Sequence, residues 1–534
     1  MIFHSLSIAI TFAISIRIAS AAVPVWGQCG VCLLDSVSSR LTLTLLTTIM
    51  DQGIGYSGST ICDSGSTCTV SNAYYSQCTP SSSVPASTAA GSSPSSGSTN
   101  ADSSKITLVD LSANTGNSVH RASGILYGVP DNGDQIPSNF YTDWGFNYLS
   151  AGAAQDPGGS RGWVFGSYPG RFQSALRNYR TAKEYNAQFI LKMSDLWGAD
   201  GGQGDAAYPG DNGDFTEYDQ FLTQLCSDLK NNGMTDLKLL IWNEPDLTIF
   251  WNRSQSQYLS FWSHAVRFLR SNLPGVPIAG PSFAFRPDPT SAWWAPWVQR
   301  IKTDNTPPDV YTWHLEGDTT DPTNDLPFSH DNMVNMLNSA GLHVGEFVID
   351  EYANKDEQNP AGGAWWISNF ERWNMYGLRG NWLGGYQLHD FFASLLWKTN
   401  LTPTGTGYYT NGEYQVYKYY ASSMKGHRVR TTRSTDGKMD CYAVVDTDRV
   451  RILVGGRLVT GTYTLQIDNI SSLGLPSSGS ITVHTYEFPW NGPTVRVDAP
   501  TDLGTVAHSY SGNSLSFSIF QTTTTTTWAF EFSY

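Results

Sequence analysis

The chain of 534 residues carries 18 Trp, 27 Tyr and 24 Phe, whereas charged residues make up only 15% and the formal net charge is −14. So acidic a balance lacks the basic face that nucleic acid or an anionic membrane requires, which excludes both as partners. Many aromatics beside few charges suit stacking on flat, weakly charged ligands such as sugars, and the length allows two or three domains.

The first residues, "MIFHSLSIAITFAISIRIASAAVPVWG", hold an apolar run from Ile8 to Ile16 followed by the small residues Ala19, Ser20 and Ala21. The run is shorter than the ~20 residues that span a bilayer, so residues 1–21 read as a cleaved secretion signal and the protein as extracellular. Sequons at Asn252, Asn400 and Asn469 agree with export and mark candidate N-glycosylation sites. Five of the seven cysteines fall between Cys29 and Cys78. In an exported chain such a cluster implies a disulfide framework.

Residues 24–79 form a compact cysteine-rich segment interrupted at 31–52 by a Leu/Thr-rich stretch carrying the extra Cys32. With Val31 to Gln52 removed, "VWGQCG-GIGYSGSTICDSGSTCTVSNAYYSQCTP" resembles the fungal family 1 carbohydrate-binding module, a cystine-rich wedge that binds cellulose. The resemblance implies that Trp26, Tyr74 and Tyr75 stack on glucose rings, that Asn72 and Gln77 bond to hydroxyls, and that Cys29 pairs with Cys68 and Cys62 with Cys78. Every valine codon begins GT and one glutamine codon ends AG, and removing these 22 codons restores the pattern in frame. We read the stretch as a retained intron and leave it out of fold reasoning. Residues 80–104, rich in Ser, Thr and Pro, have almost no apolar bulk and read as an extended linker.

From residue 105 to 425, short apolar runs alternate with amphipathic stretches. The runs are "FNYLSAG", "AQFILKMSD", "LKLLIWNEP", "VPIAGPS", "DVYTWHL", "HVGEFVIDEY" and "GNWLGGY"; helix candidates include Tyr218–Asn231, Ser254–Ser271 and Met333–Ala340. This rhythm predicts an α/β fold, a (β/α)8 barrel, in preference to an open doubly wound sheet, since no Gly-rich phosphate loop opens a helix. Beyond Gly426 the pattern becomes β-branched alternation with Gly, Pro and Asn turns. Residues 426–534 therefore read as a β-sandwich accessory domain, with strands that include "PTVRVDAP" and "SLSFSIF".

Two apolar strands end in carboxylates: "LKLLIWNEPDL", with Glu244 before Pro245, and "GEFVIDEYAN", with Asp350 and Glu351. A barrel places strand C-termini at its active face, and alternation predicts that only one of Asp350 and Glu351 faces the lumen. "IWNEPDLTIFW", "YTWHLEG" and "VIDEYAN" together resemble glycoside hydrolase family 39, of the retaining clan A, over about Ile125 to Lys398. That resemblance implies Glu244 as general acid/base and Glu351 as nucleophile, and it places Asn243 on the sugar hydroxyl next to the anomeric carbon. It also has His314 holding the nucleophile and Trp382, on the last strand, flooring the sugar subsite. A retaining reaction needs one protonated and one ionised carboxyl about 5–5.5 Å apart. It calls for no metal and no organic cofactor.

The chain departs from the family at two places. Ser150 stands where the clan carries an arginine near the nucleophile, leaving Arg161 or Arg121 to swing in. Glu316 stands where a tyrosine is usual; it is a candidate substrate-binding residue, although most glutamates are solvated. Asp350 reads as capping or pairing with a neighbouring strand rather than reacting, Ser291–Trp297 as helix packing and Cys226 as a buried small residue. Asp195 and Trp197 read equally well as pocket lining or as structure. The expectation is a monomeric secreted glycosidase cutting xylosyl or arabinosyl linkages of hemicellulose while anchored to cellulose. The alternative is a catalytically inactive cellulose-binding wall protein with a degenerate barrel.

Overall fold

The computed structural model describes the strands β1 (Gln28–Gly30), β2 (Ser66–Asn72) and β3 (Tyr75–Pro80), and residues 103–534 apart from 202–206, 318, 320 and 322. The chain divides into two units, Met1–Ser98 and Thr99–Tyr534, and the division falls within the segment read as a linker. In the first unit β1, β3 and β2 form a three-stranded antiparallel sheet. The expected secretion signal, the 31–52 insert, Trp26, Tyr74 and the side chains of Asn72, Tyr75, Gln77 and the four cysteines expected to pair lie outside the described residues.

The second unit opens on β4 (Ile106–Asn117), which pairs with strands of the C-terminal sheet. The barrel expected from residue 105 therefore starts later. It closes in chain order through eight parallel strands: β5 (Gly124–Leu126), β6 (Tyr148–Ala151), β7 (Gln188–Lys192), β8 (Lys238–Leu240), β9 (Ile278–Phe283), β10 (Val310–Leu315), β11 (Glu346–Tyr352) and β12 (Tyr376–Arg379). The last strand is thus "YGLR"; Trp382, expected on it, sits in the loop beyond.

The barrel helices are α1 (Ser138–Trp144), α2 (Tyr168–Glu184), the short α3 (Met193–Trp197), α4 (Thr216–Asn231), α5 (Gln255–Asn272), α6 (Trp294–Thr303), α7 (Leu326–Ala340), α8 (Pro360–Trp373) and α9 (Gly412–Ser422). Local chemistry sets several of their ends. Asp325 caps α7 by accepting from the Phe328 N–H at 3.0 Å, and Gly341 closes it with φ 68°. That cap starts the helix seven residues before the expected Met333. Asn359 caps α8 in the same way, with Pro360 at its first position. None of the described helices is long and apolar enough to cross a membrane.

Two cores hold the barrel. Its lumen is filled near the N-terminal end by Tyr148, Ile190, Leu240, Ala279, Val310, Val348 and Leu378, one from each of seven strands. Counting by two along the strands, the next inward positions are Ser150, Lys192 and Thr312, then His314, so polarity rises towards the strand C-termini. Outside, a large aromatic core includes Trp294, Trp297 and Trp197 and joins the strands to the helices. Cys226 packs into it as a buried thiol.

The C-terminal domain is a nine-stranded sheet. Besides β4 it comprises β15 (His427–Thr432), β16 (Met439–Val445), β17 (Arg449–Gly456), β18 (Gly461–Asp468), β19 (Gly479–Phe488), β20 (Thr501–Tyr510), β21 (Ser514–Gln521) and β22 (Thr527–Ser533). The hairpin β13 (Leu396–Lys398) with β14 (Tyr408–Thr410) lies between barrel and sheet in sequence. "PTVRVDAP" forms no strand; Val497 donates instead to the Thr410 carbonyl at 2.9 Å. All seven residues of β16 are buried because the strand serves two interfaces. Met439, Cys441, Ala443 and Val445 face the sandwich core, and Tyr442 and Val444 face the barrel. Gly455 permits the contact with α8, since a Cβ there would lie 2.0 Å from the Trp365 nitrogen.

Buried ion pairs lock the unit together. Arg379, the last residue of β12, donates from Nε and Nη2 to the two carboxylate oxygens of Glu413 on α9, at 2.7 Å each, and both residues are 1% exposed. Glu413→Ala would leave the guanidinium buried without its counter-charge. A loss of about 3–5 kcal/mol is expected, to be read as a lowered thermal and urea midpoint of this unit.

Candidate active site

The carboxylates converge at the C-terminal mouth of the barrel. Glu244 follows β8, and its backbone takes the left-handed region at φ 42°. Pro245 disfavours the right-handed helical region for the residue before it, and the Glu244 N–H is held by the Ser282 carbonyl of β9 at 2.9 Å. From the opposite side, β11 pairs with β10 through a register shift: Trp313 pairs with Ile349 and His314 with Glu351, which leaves Asp350 as the extra residue of a bulge. Simple alternation fails here. Both Asp350 and Glu351 reach the lumen side and the same imidazole.

His314 joins the groups. Its Nδ1 lies 2.9 Å from Glu244 Oε1, and its Nε2 lies 3.6 Å from Glu351 Oε1 and 3.7 Å from Asp350 Oδ1. The two glutamates are therefore separated by no more than one ring and two contacts. The Ser282 hydroxyl, 2.9 Å from His314 Nε2, donates to Asp350 Oδ2 at 2.6 Å, which fixes the fully buried aspartate across the strands. Burial alone would depress the imidazole, but Glu351 and Asp350, with bonds to Asp350 and Glu244, hold its pKa well above the ordinary histidine value.

A group raised in this way stabilises the folded chain fully below the unfolded value near 6.5 and loses that contribution as pH rises through its folded value. The stability gap between wild type and His314→Gln, measured by thermal melts, is accordingly expected to be widest at pH 5–6 and to shrink in the alkaline range.

The cation beside Glu351 comes from a residue that the sequence reading did not single out, on a strand that it did. Lys192 closes β7, is 2% exposed, donates to Asn243 Oδ1 at 2.7 Å and forms an ion pair with Glu351 Oε1. Burial works against its charge, yet Glu351, Asp195 and Asp350 together raise its pKa. The arginines suggested for this task lie elsewhere. The Arg121 guanidinium sits over Tyr376 at the start of β12, and that of Arg161 over Phe165. Ser150 points into the lumen one step below Lys192, from the neighbouring strand. The signal was a lone basic residue two positions past an inward Ile190.

The remaining expected residues divide. Asn243 is buried against Lys192. Trp382 is 45% exposed and anchors its ring nitrogen on the Ala353 carbonyl, just past Glu351, at 3.2 Å. Glu316 is half-buried beside the two glutamates. Asp195 is buried, accepts from the Tyr127 hydroxyl, and is pushed up to about 6 chiefly by burial against the pull of Lys192; Trp197 is core. Asp246 is likewise pushed up to about 6 by burial. It accepts from the backbone N–H groups of Ala284 at 2.9 Å and Phe285 at 3.2 Å, tying the loop after β9 to the loop that carries Glu244. Among the sequons, Asn252 and Asn400 are exposed, while the Asn469 amide donates to Asp110 Oδ1 at 2.7 Å.

The closed parallel barrel with its β-sheet domain has counterparts among solved structures, and the N-terminal segment matches a family model. Residues 52–75 match the fungal cellulose binding domain, starting where the 31–52 insert ends. Comparison with curated protein sequences finds no relative. Among solved structures the chain is similar to N2152 from Neocallimastix frontalis, at 22% identity and a TM-score of 0.65, over 80% of this chain and 99% of that one. It is also similar to a glucosidase from Croceicoccus marinus, at 13% identity and TM-score 0.54, over 80% and 99%. A third is the GH39 enzyme from Xanthomonas axonopodis pv. citri, at 12% identity and TM-score 0.50, over 80% and 97%. The chain thus joins a segment that matches the fungal cellulose binding domain to a barrel whose fold is similar to those solved structures.

Proposed function

We propose that the protein is a secreted, monomeric retaining glycosidase that cuts xylosyl or arabinosyl linkages of plant cell-wall hemicellulose while its N-terminal module, closed by disulfides, holds cellulose. The observation that carries this reading is the approach of Glu244 and Glu351 to opposite nitrogens of one imidazole, with a lysine on Glu351 alone.

The two carboxyls have different surroundings. Lys192 is ion-paired with Glu351 and His314 Nε2 lies 3.6 Å from the same oxygen, so two cationic groups face the carboxylate that attacks the anomeric carbon. Glu244 accepts from His314 at Oε1, so its other oxygen can carry the proton that passes to the leaving oxygen. Once Glu351 is esterified its charge is gone, and Lys192 and His314 have less negative charge to balance. Glu244 then gives up its proton more readily and, as an anion, takes one from the attacking water. The water oxygen bonds to the anomeric carbon as the Glu351–sugar bond breaks, and the configuration is retained.

Asn243, fixed by Lys192, offers its amide N–H group to the hydroxyl beside the anomeric carbon, and Trp382 supplies a face on which the sugar stacks. Holding the wall polymer raises local substrate concentration without any added contact at the site.

The test is hydrolysis of 4-nitrophenyl β-xylopyranoside, 4-nitrophenyl α-arabinofuranoside and arabinoxylan by the purified full chain, together with cellulose pull-down. Release of pentose with cellulose retention supports the reading. Retention of a folded protein that cleaves none of the three supports the inactive wall-protein reading instead.

A further inference from the structure

Glu316 takes no part in the steps above, yet its carboxyl lies inside the site. It stands one residue past β10, and its backbone carbonyl accepts from Asn354 Nδ2 in the loop after β11 at 3.1 Å. Asn354 is itself fixed, because it caps the short turn Lys355–Glu357 in a capping box. On the other side the carboxyl rests on Gly380, the residue after β12. A Cβ built on Gly380 would fall 1.7 Å from Glu316 Oε1. The absent side chain at 380 is therefore what leaves room for this carboxyl.

The Glu316 carboxyl makes no hydrogen bond or ion pair with a described side chain, and the residue is only half-buried, so it remains open to a ligand. Its charged surroundings are Glu351, His314, Glu244 and Lys192. In that site Lys192 and the imidazolium are already matched by Asp350 and Glu351. A further anion would have no counter-charge. Burial and the Glu351 charge, with Glu244 adding and His314 and Lys192 opposing, accordingly hold its pKa well above the usual carboxylate range.

We propose that Glu316 is a specificity-determining residue: its carboxyl, in the uncharged acid form, donates a hydrogen bond to one hydroxyl of the sugar held against Glu351. This rests on the glycosidase reading for the identity of the ligand. A site built to bond a hydroxyl rejects an analogue lacking it, because the buried polar group is then left unpaired.

The test is binding, so that it stands apart from turnover. Affinities of the full chain for phenyl 1-thio-β-xylopyranoside, which is not cleaved, and for its 2-, 3- and 4-deoxy analogues are measured by calorimetry for wild type, Glu316→Ala, Glu316→Gln and Gly380→Ala. The expected result is a loss of about tenfold or more for the parent glycoside in Glu316→Ala, with almost none for one of the three deoxy analogues. Glu316→Gln, which keeps an N–H donor in the same shape, should recover most of the loss, and Gly380→Ala should reproduce it by displacing the carboxyl. Equal weakening of all four glycosides, no weakening, or no binding of the parent to wild type would overturn the inference. A wild type that binds with this pattern but cleaves no aryl glycoside would defeat the hydrolase reading and leave the hydroxyl-selecting role of Glu316 standing.

Discussion

Glu351→Ala is expected to lower kcat/KM by about 10⁴-fold or more while cellulose pull-down stays at the wild-type level. The variant removes the carboxyl that is ion-paired with Lys192 and lies 3.6 Å from His314 Nε2, and with it the atom that would carry the glycosyl group. The remaining groups can still bind sugar, so KM should change far less than kcat. The segment that matches the fungal cellulose binding domain lies in a separate unit, which is why retention should persist. Steady-state kinetics and pull-down on one preparation make the comparison, and a variant retaining a tenth of the activity would remove Glu351 from the role given to it.

Replacing the buried cation should have the second largest effect. In Lys192→Met, Glu351 loses its ion pair and Asn243 loses the donor that orients it, so a fall in kcat/KM of about 10²-fold is expected. Without the ammonium beside it, the Glu351 carboxylate loses the contact that fixes its attacking oxygen, so the fall should appear in kcat more than in KM. Lys192→Arg should not restore the rate, because a flat, broad guanidinium does not replace a compact ammonium held between Asn243 and Glu351. A kcat/KM unchanged in Lys192→Met would show that this lysine serves packing alone.

The Lys192 result also bears on the degenerate-barrel reading. That reading arose because Ser150 stands where an arginine was expected beside the nucleophile. In the fold the positive charge arrives from the adjacent strand, so the serine leaves no gap in the electrostatics. What alternation could not show is that inward positions on neighbouring strands are staggered, and that the residue able to reach Glu351 belongs to β7.

Elements with strong local patterns were legible in the chain. The apolar runs around Phe189, Tyr311 and Phe347 became β7, β10 and β11, and the amphipathic stretch ending at Asn231 became α4. Elements whose identity depends on distant partners were not. The strand β4 pairs with residues more than 300 positions away, so nothing local assigns it to the sheet rather than the barrel. The strand "YGLR" is short and contains a glycine, and the more aromatic "GNWLGGY" beside it drew the reading. An opposite cause hid β20: it is an edge strand exposed on both faces over most of its length, and it carries no alternation to find. At the site, the types and chain positions of Glu244, Glu351 and His314 were readable, whereas the bulge that brings Glu351 to the lumen side beside Asp350 is a matter of register between two strands.

The central claim is that two glutamates on one imidazole act in turn as nucleophile and as acid/base on a sugar. It is tested most directly by proton NMR of the first product released from 4-nitrophenyl β-xylopyranoside, recorded before mutarotation. The account expects β-xylose to appear first, with the α anomer growing in later. Initial release of α-xylose by the wild-type chain would contradict it.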